Sequence, residues 1–183
     1  MIRHRLSLPV GVVICLLMFV SCLSRYRLDL YMLSGEERTK VKIEQTEYVT
    51  GARIRDPYAD EKLIVGDGNC VILHTGARGQ RLETDMTETL MLQYDEYVRC
   101  LVYLELPAEP RADSLSLDGR GFVQILGRYD QPAERKIYTA HSGTLVVDSI
   151  VDDRLYAAIE GDFRNTNGES VGYTGRFRVK IAD

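Results

Sequence analysis

The side chains able to do chemistry in this sequence are few and mostly far apart. Two histidines stand in the body of the chain, His74 and His141; the third, His4, lies next to an apolar leader. A Ser-His-acid set can be assembled on paper from either imidazole. No Gly-x-Ser-x-Gly turn accompanies them to expose a nucleophile. His141 precedes Ser142 and Gly143, which is ordinary turn composition. Carboxylates are more numerous. Glu83, Asp85 and Glu88 fall within six residues, and such a cluster could offer oxygens to calcium. Glu160 and Asp162 lie two apart, so on a strand they share a face. Paired acids on one face can run glycoside hydrolysis, but that chemistry usually has aromatic subsites beside it, and the chain has no tryptophan. A solvated acidic face accounts for both groups, and for Asp56 to Glu61. The sequence has no HExxH, EF-hand loop or P-loop, and Gly76 to Gly79 lacks the Lys-Ser/Thr of a phosphate cradle. The expectation is therefore no catalytic residue, no metal and no cofactor.

Four cysteines remain to be placed. Cys15 sits in the apolar leader. Cys70 and Cys100 form an even pair; a bridge would close a loop of about 30 residues and stabilise by roughly 3 kcal/mol. The competing reading makes Cys100, flanked by Val98 and Val102, a small buried hydrophobe. Eleven of the fifteen aromatics are tyrosine. In strands a tyrosine packs its ring and wets its hydroxyl, which suffices for most of them. Tyr94, Tyr97 and Tyr103, close to an expected hairpin at Asp95-Glu96, form the best candidate for an interaction surface.

The elements that must position these groups read as strands. Tyr173, Gly175, Phe177, Val179 and Ile181 alternate with Thr174, Arg176, Arg178 and Lys180, a half-buried strand with a cationic outer face. Val98 to Leu106 alternates in the same way. Further strands are expected over 27–33, 40–48, 63–65, 70–74, 89–94, 114–117, 122–129, 136–139, 143–151 and 154–163. Turns are expected at Ser34 to Glu37, Gly66 to Asn69, Asp152-Asp153 and Asn165 to Gly168. One short helix is allowed over Glu83 to Leu92. This pattern predicts an all-β, antiparallel sandwich, with a barrel as the alternative. The proline-bearing stretch Pro107 to Asp113 cannot sit in a central strand; it either connects two sheets or divides the chain.

The first residues belong to a different class. Arg3 and Arg5 precede an apolar run of fifteen residues from Leu6 to Val20 that contains Pro9, too short for the roughly 20 residues of a membrane span. A basic start and a short apolar segment are the pattern of a secretory signal helix, here residues 1–21, with an uncleaved signal anchor or an ordinary cleaved signal lacking an A-x-A site as the alternatives. Val20, Ser21 and Cys22 resemble the lipobox of bacterial lipoproteins, with Phe19 where leucine is usual. The resemblance implies cleavage before Cys22, diacylglycerol on its thiol and an acyl chain such as palmitate on its amino group. It places the chain in the cell envelope, and Leu23, which follows the cysteine, favours the outer membrane. Residues 22–26 would then be a lipidated cysteine with a short tether, and 27–183 a single all-β domain.

Composition agrees with an ordinary globular body: 45% hydrophobic and 27% charged over 183 residues. Loss of residues 1–21 removes two arginines and no acid, leaving 162 residues with 21 basic and 27 acidic side chains, net −6. Net acidity removes the usual electrostatic motive for binding nucleic acid. The expected protein is a membrane-anchored envelope lipoprotein with a non-enzymatic binding or structural domain. Its partner would be another envelope protein or a cell-wall polymer. Two alternatives are a carboxylate-based envelope hydrolase and a carrier of a lipid or small apolar ligand.

Overall fold

The computed structural model describes residues 29–78, 97–127 and 136–181. Within them the chain forms nine strands and no helix: β1 (Leu30–Ser34), β2 (Glu37–Ile54), β3 (Leu63–Arg78), β4 (Tyr97–Pro107), β5 (Asp113–Ser116), β6 (Gly121–Gly127), β7 (Lys136–Val151), β8 (Arg154–Arg164) and β9 (Ser170–Lys180). The all-β expectation holds, but the sheet is not split into a sandwich. β1 pairs with β2 on one side and β9 on the other, while β8 pairs with both β9 and β7. The order β7-β6-β4-β3-β2-β1-β9-β8 therefore returns to β7 and closes an eight-stranded antiparallel barrel. Only β5 stands outside the cycle, lying along β7 from Asp113↔Val147 to Ser116↔Thr144. Period-two alternation is common to sandwiches and barrels, so the correction rests on one pairing, β1 with β9, that alternation does not encode.

Three expected turns reverse the chain. Asp152 and Asp153 both take positive φ (49° and 57°), as a two-residue hairpin matched to strand twist requires. The Asn165 carboxamide oxygen accepts from the backbone N–H groups of Asn167 and Glu169 at 3.0 and 2.9 Å, holding the β8–β9 loop. Ser34↔Glu37 closes the β1–β2 turn. The expected turn at Gly66 to Asn69 is instead internal to β3. There the β2–β3 ladder slips: Thr50↔Asn69 is followed by Ala52↔Val65, with Gly51 alone on one strand and residues 66–68 on the other. The small residues bend the arm of a long hairpin, and the reversal comes before them, in residues 55–62.

Buried Asn69 holds that bend. Its Oδ1 accepts from the Gly51 N–H (3.2 Å), and its Nδ2 donates to the carbonyls of Pro107 (2.8 Å) and Ala108 (2.9 Å). A buried carboxamide with its partners satisfied ties the β2–β3 bend to the start of the 107–113 stretch. That stretch connects β4 to β5, both in one sheet. The expected strands 136–139 and 143–151 are likewise one element, β7, with a register break at His141. The expected helix 83–92, the strand 89–94 and residues 1–28 lie outside the described residues.

Inward positions fill the barrel. Leu30, Met32, Val71, Leu73, Val102, Leu104, Val123, Leu145, Leu155, Ile159, Phe177 and Val179 belong to one buried cluster. Phe163 meets Tyr173 edge-on within it, centroids 6.1 Å apart and planes at 87°. Outward positions on β8 and β9 are largely polar. On this wall the apolar-in, polar-out order is the reverse of that in a membrane-spanning barrel. No helix among the described residues is long and apolar enough to cross a membrane.

Candidate functional site

The carboxylates Glu160 and Asp162 face outward on β8, because Ile159, Gly161 and Phe163 between and beside them face in. Register then assembles a row across the wall. Asp162 lies beside Ser142 on β7 and Gly172 on β9; Gly172 lies beside Leu33 on β1, and Leu33 beside Arg38 on β2. The next row holds Thr144, Glu160 and Thr174. Together these residues line an open groove of about 770 Å³. Gly172 forms part of its floor: a Cβ there would come within 3.0 Å of the Leu33 side chain. The groove has a cation at one end, where the Arg38 guanidinium lies 4.0 Å over the Tyr31 ring, and two carboxylates at the other. Arg164 Nε donates to Asp162 Oδ2 at 2.8 Å, committing one of those carboxylates to an ion pair. Glu160 is exposed. Hydroxyls, a guanidinium and carboxylates on one concave wall can hold a polar ligand through hydrogen bonds.

The i, i+2 spacing of Glu160 and Asp162 was legible as a shared face. Arg38, Ser142, Thr144 and Gly172 carried no such signal, since they come from strands whose pairing the sequence does not state. Glu83, Asp85 and Glu88 lie outside the described residues.

The histidines stay apart. His74 faces outward on β3, its Nε2 2.7 Å from Glu47 Oε1 on β2, and Gln45 Nε2 donates to the same oxygen at 2.9 Å. His141 is exposed at the β7 irregularity, on a wall separated from β3 by β4 and β6. The pair therefore shares no site. Among the described residues no group of three or more His, Cys, Asp or Glu side chains could hold a metal ion.

Cys70 and Cys100 are both free and buried, so of the two readings the buried hydrophobe fits and the bridge does not. The register explains why. Cys70 sits opposite Glu105 and Cys100 opposite Thr75, five rungs apart, or about 17 Å along the ladder. A disulfide tolerates Cα atoms no more than about 7 Å apart. They also face opposite ways: Cys100 belongs to the interior cluster and Cys70 to a second cluster on the outer wall. Burial pushes the Cys100 thiol up to about 12, with a hydrogen bond from Tyr173 opposing the rise. Cys70 is likewise pushed up to about 12 by burial; bonding to the Leu104 backbone opposes this and the Glu105 carboxylate adds to it. Burial thus keeps both thiols protonated near neutrality, which disfavours either as a nucleophile.

The expected tyrosine surface changes character. Tyr103 is 9% exposed and stacks on Phe122, with centroids 4.2 Å apart and planes 13° from parallel. It is part of a covered cluster on the outer wall of β3, β4, β6 and β7, with Cys70, Ile72 and Ile137. The bent tip of the β2–β3 hairpin helps cover it. Ile54 and Leu63 pack there, and the Ile54 N–H donates to Glu105 Oε2 at 3.1 Å across 51 residues. Tyr97 opens β4, while its side chain and Tyr94 lie outside the description.

No protein-family model matches this chain, nor does any curated protein or solved structure.

Proposed function

We propose that this chain is a membrane-anchored envelope lipoprotein, lipidated at Cys22, whose barrel is a non-enzymatic binding or structural domain. The observation that carries the reading is the placement of Cys22. It closes a lipobox-like segment only seven residues before Asp29, from which β1 runs into the barrel. Several acyl chains anchor a protein durably without a spanning helix. The packed interior supports a role for the outer wall and weighs against a carrier that would hold an apolar ligand inside. On that wall the groove between Arg38 and Glu160 offers polar contacts for another envelope protein or a cell-wall polymer. Labelled palmitate should enter the wild-type chain and not a Cys22→Ala variant; equal labelling of both would refute the anchor. Cross-linking in cells, with reporters placed at Ser142 and Thr174, would identify the partner.

One observation favours a second reading. Glu160 and Asp162 converge on a concave surface, as a carboxylate-based hydrolase of the envelope requires. In that reading Glu160→Gln would lower release of soluble fragments from cell-wall polymer by about 100-fold or more. Wild-type protein that releases none would eliminate it.

A further inference from the structure

The acidic net charge of the body conceals a basic wall. Arg176, Arg178 and Lys180 are outward, exposed residues of the second half of β9. Lys180 lies beside Arg154 on β8, and Arg178 beside Tyr156. On the far side of β1, β2 adds the exposed Lys40 and Lys42. β1 is short, beginning at Leu30, which pairs with Val41 on one side and Gly175 on the other. Just before it, Asp29 lies between the two basic strands. Its carbonyl accepts from the Arg176 N–H at 3.0 Å, and its carboxylate pairs with Lys40. A hollow of about 660 Å³ opens at this point, lined by Asp29, Lys40, Lys42, Glu44 and Arg178 among others. The acids at this end of the wall are Asp29, already paired with Lys40, Glu44, and the turn residues Asp152 and Asp153; Glu160 and Asp162 stand farther along β8, beside Thr174 and Gly172. The six residues between Cys22 and Asp29 contain Arg25 and Arg27 and no acid.

From this charge distribution and from where the chain enters it, we infer that the end of the β8–β9–β1–β2 wall around Asp29, away from Glu160 and Asp162, docks on anionic phospholipid headgroups of the membrane that holds Cys22. The inference rests on the lipid anchor proposed above. Seven peptide steps from Cys22 to Asp29 reach at most about 25 Å. A tether of that reach keeps the basic residues around Asp29 close to the bilayer surface. Each basic residue near an anionic surface contributes about a fivefold preference for contact, lost beyond a Debye length. β6, four strands round the cycle from β1, is turned away from the membrane.

The chain contains no tryptophan, so a single introduced one is a clean reporter. Tyr156→Trp places it on the basic wall and Leu126→Trp on β6. Each full-length lipidated protein would be reconstituted in phosphatidylcholine vesicles with or without phosphatidylglycerol, with a headgroup-labelled quenching lipid. The Tyr156→Trp reporter should be quenched several-fold more when phosphatidylglycerol is present, and high salt should abolish the difference. Arg178→Glu with Lys180→Glu should abolish it too, while the Leu126→Trp reporter stays unquenched throughout. Palmitate labelling with no effect of phosphatidylglycerol, or equal quenching of the two reporters, overturns the docking wall and leaves the anchor standing. Absence of label from the wild-type chain overturns the anchor, and the docking wall falls with it. Salt-sensitive retention of polyuridylate without phosphatidylglycerol dependence would reassign the wall to nucleic acid and overturn the proposal.

Discussion

Two walls of one barrel use the same alternation to opposite ends. On the β8–β9 wall the outward positions are Tyr156, Glu160, Asp162, Arg176, Arg178 and Lys180, while the inward ones are buried and apolar. On the β3–β4–β6 wall both faces are apolar: Val71, Leu73, Val102 and Val123 point in, and Cys70, Ile72, Tyr103 and Phe122 point out and are covered. The first wall reads in sequence as strict alternation, the second as near-continuous apolar runs, Cys70 to Leu73 and Cys100 to Leu104. Continuous runs are what strands covered on both faces require. The difference separates two jobs. The covered wall thickens the core of a small barrel, and the open wall is left for charge and contact.

The largest test of this contrast pairs one deletion from each wall. Phe122→Ala removes a ring that is fully buried although it points out of the barrel, and should cost about 3–5 kcal/mol, as much as an interior phenylalanine such as Phe177. Arg178→Ala, on the open wall, should fall within about 0.5 kcal/mol. Urea denaturation midpoints measure both; a cost under 1 kcal/mol at Phe122 would erase the distinction between the walls.

Gly175→Ala probes how the open wall is joined. Gly175 has φ 140°, and a Cβ there would lie 2.1 Å from the Asp29 carbonyl oxygen, so β1 and β9 approach closely only because this residue has no side chain. The expected loss is about 1–3 kcal/mol. It should come with faster hydrogen exchange at the Arg176 amide, which bonds to Asp29. Unchanged exchange there would separate the glycine from barrel closure.

A pH dependence also links the walls. Cys70, pointing out, and Cys100, pointing in, each hold their proton until about 12 in the folded state, against 9.0 for an unburied thiol. Folding thus favours the protonated form. Its contribution is complete below pH 9 and is lost progressively between pH 9 and 12. Denaturation midpoints should fall across that window and fall less in a Cys70→Ala, Cys100→Ala chain. The buried Tyr138 and Tyr173 hydroxyls, also raised by burial, leave a residual slope. Native-state alkylation at pH 8 should spare both thiols equally, and rapid modification of Cys70 alone would show that the outer cluster is not closed.

Much of the fold was legible. Tyr173 to Ile181 alternated as β9 does, and Asp152-Asp153 formed the turn its composition implied. Gly66 to Asn69 misled because glycine and asparagine serve a bend as well as a reversal; the carbonyls that satisfy Asn69 lie 38 and 39 residues away. The cysteine pair misled for a related reason. Sequence separation set a plausible loop, but a five-rung offset and opposite faces are properties of the ladder. Of the groove, only Glu160 and Asp162 could be anticipated, because they are neighbours on one strand.

The sequence by itself determined the class of structure and the cationic outer face of the last strand, and it carries a basic start, a short apolar run and a cysteine at its end. These are local properties, written in the order of side chains along a few residues. Tertiary structure decided that β1 meets β9 to close a barrel, that Tyr103 is covered, and that Lys40, Lys42 and Arg178 surround the point where the chain enters. Those outcomes depend on which distant backbone groups pair with each other, and every non-proline residue offers the same donor and acceptor. Alternation sets which way a side chain points; register sets what it meets.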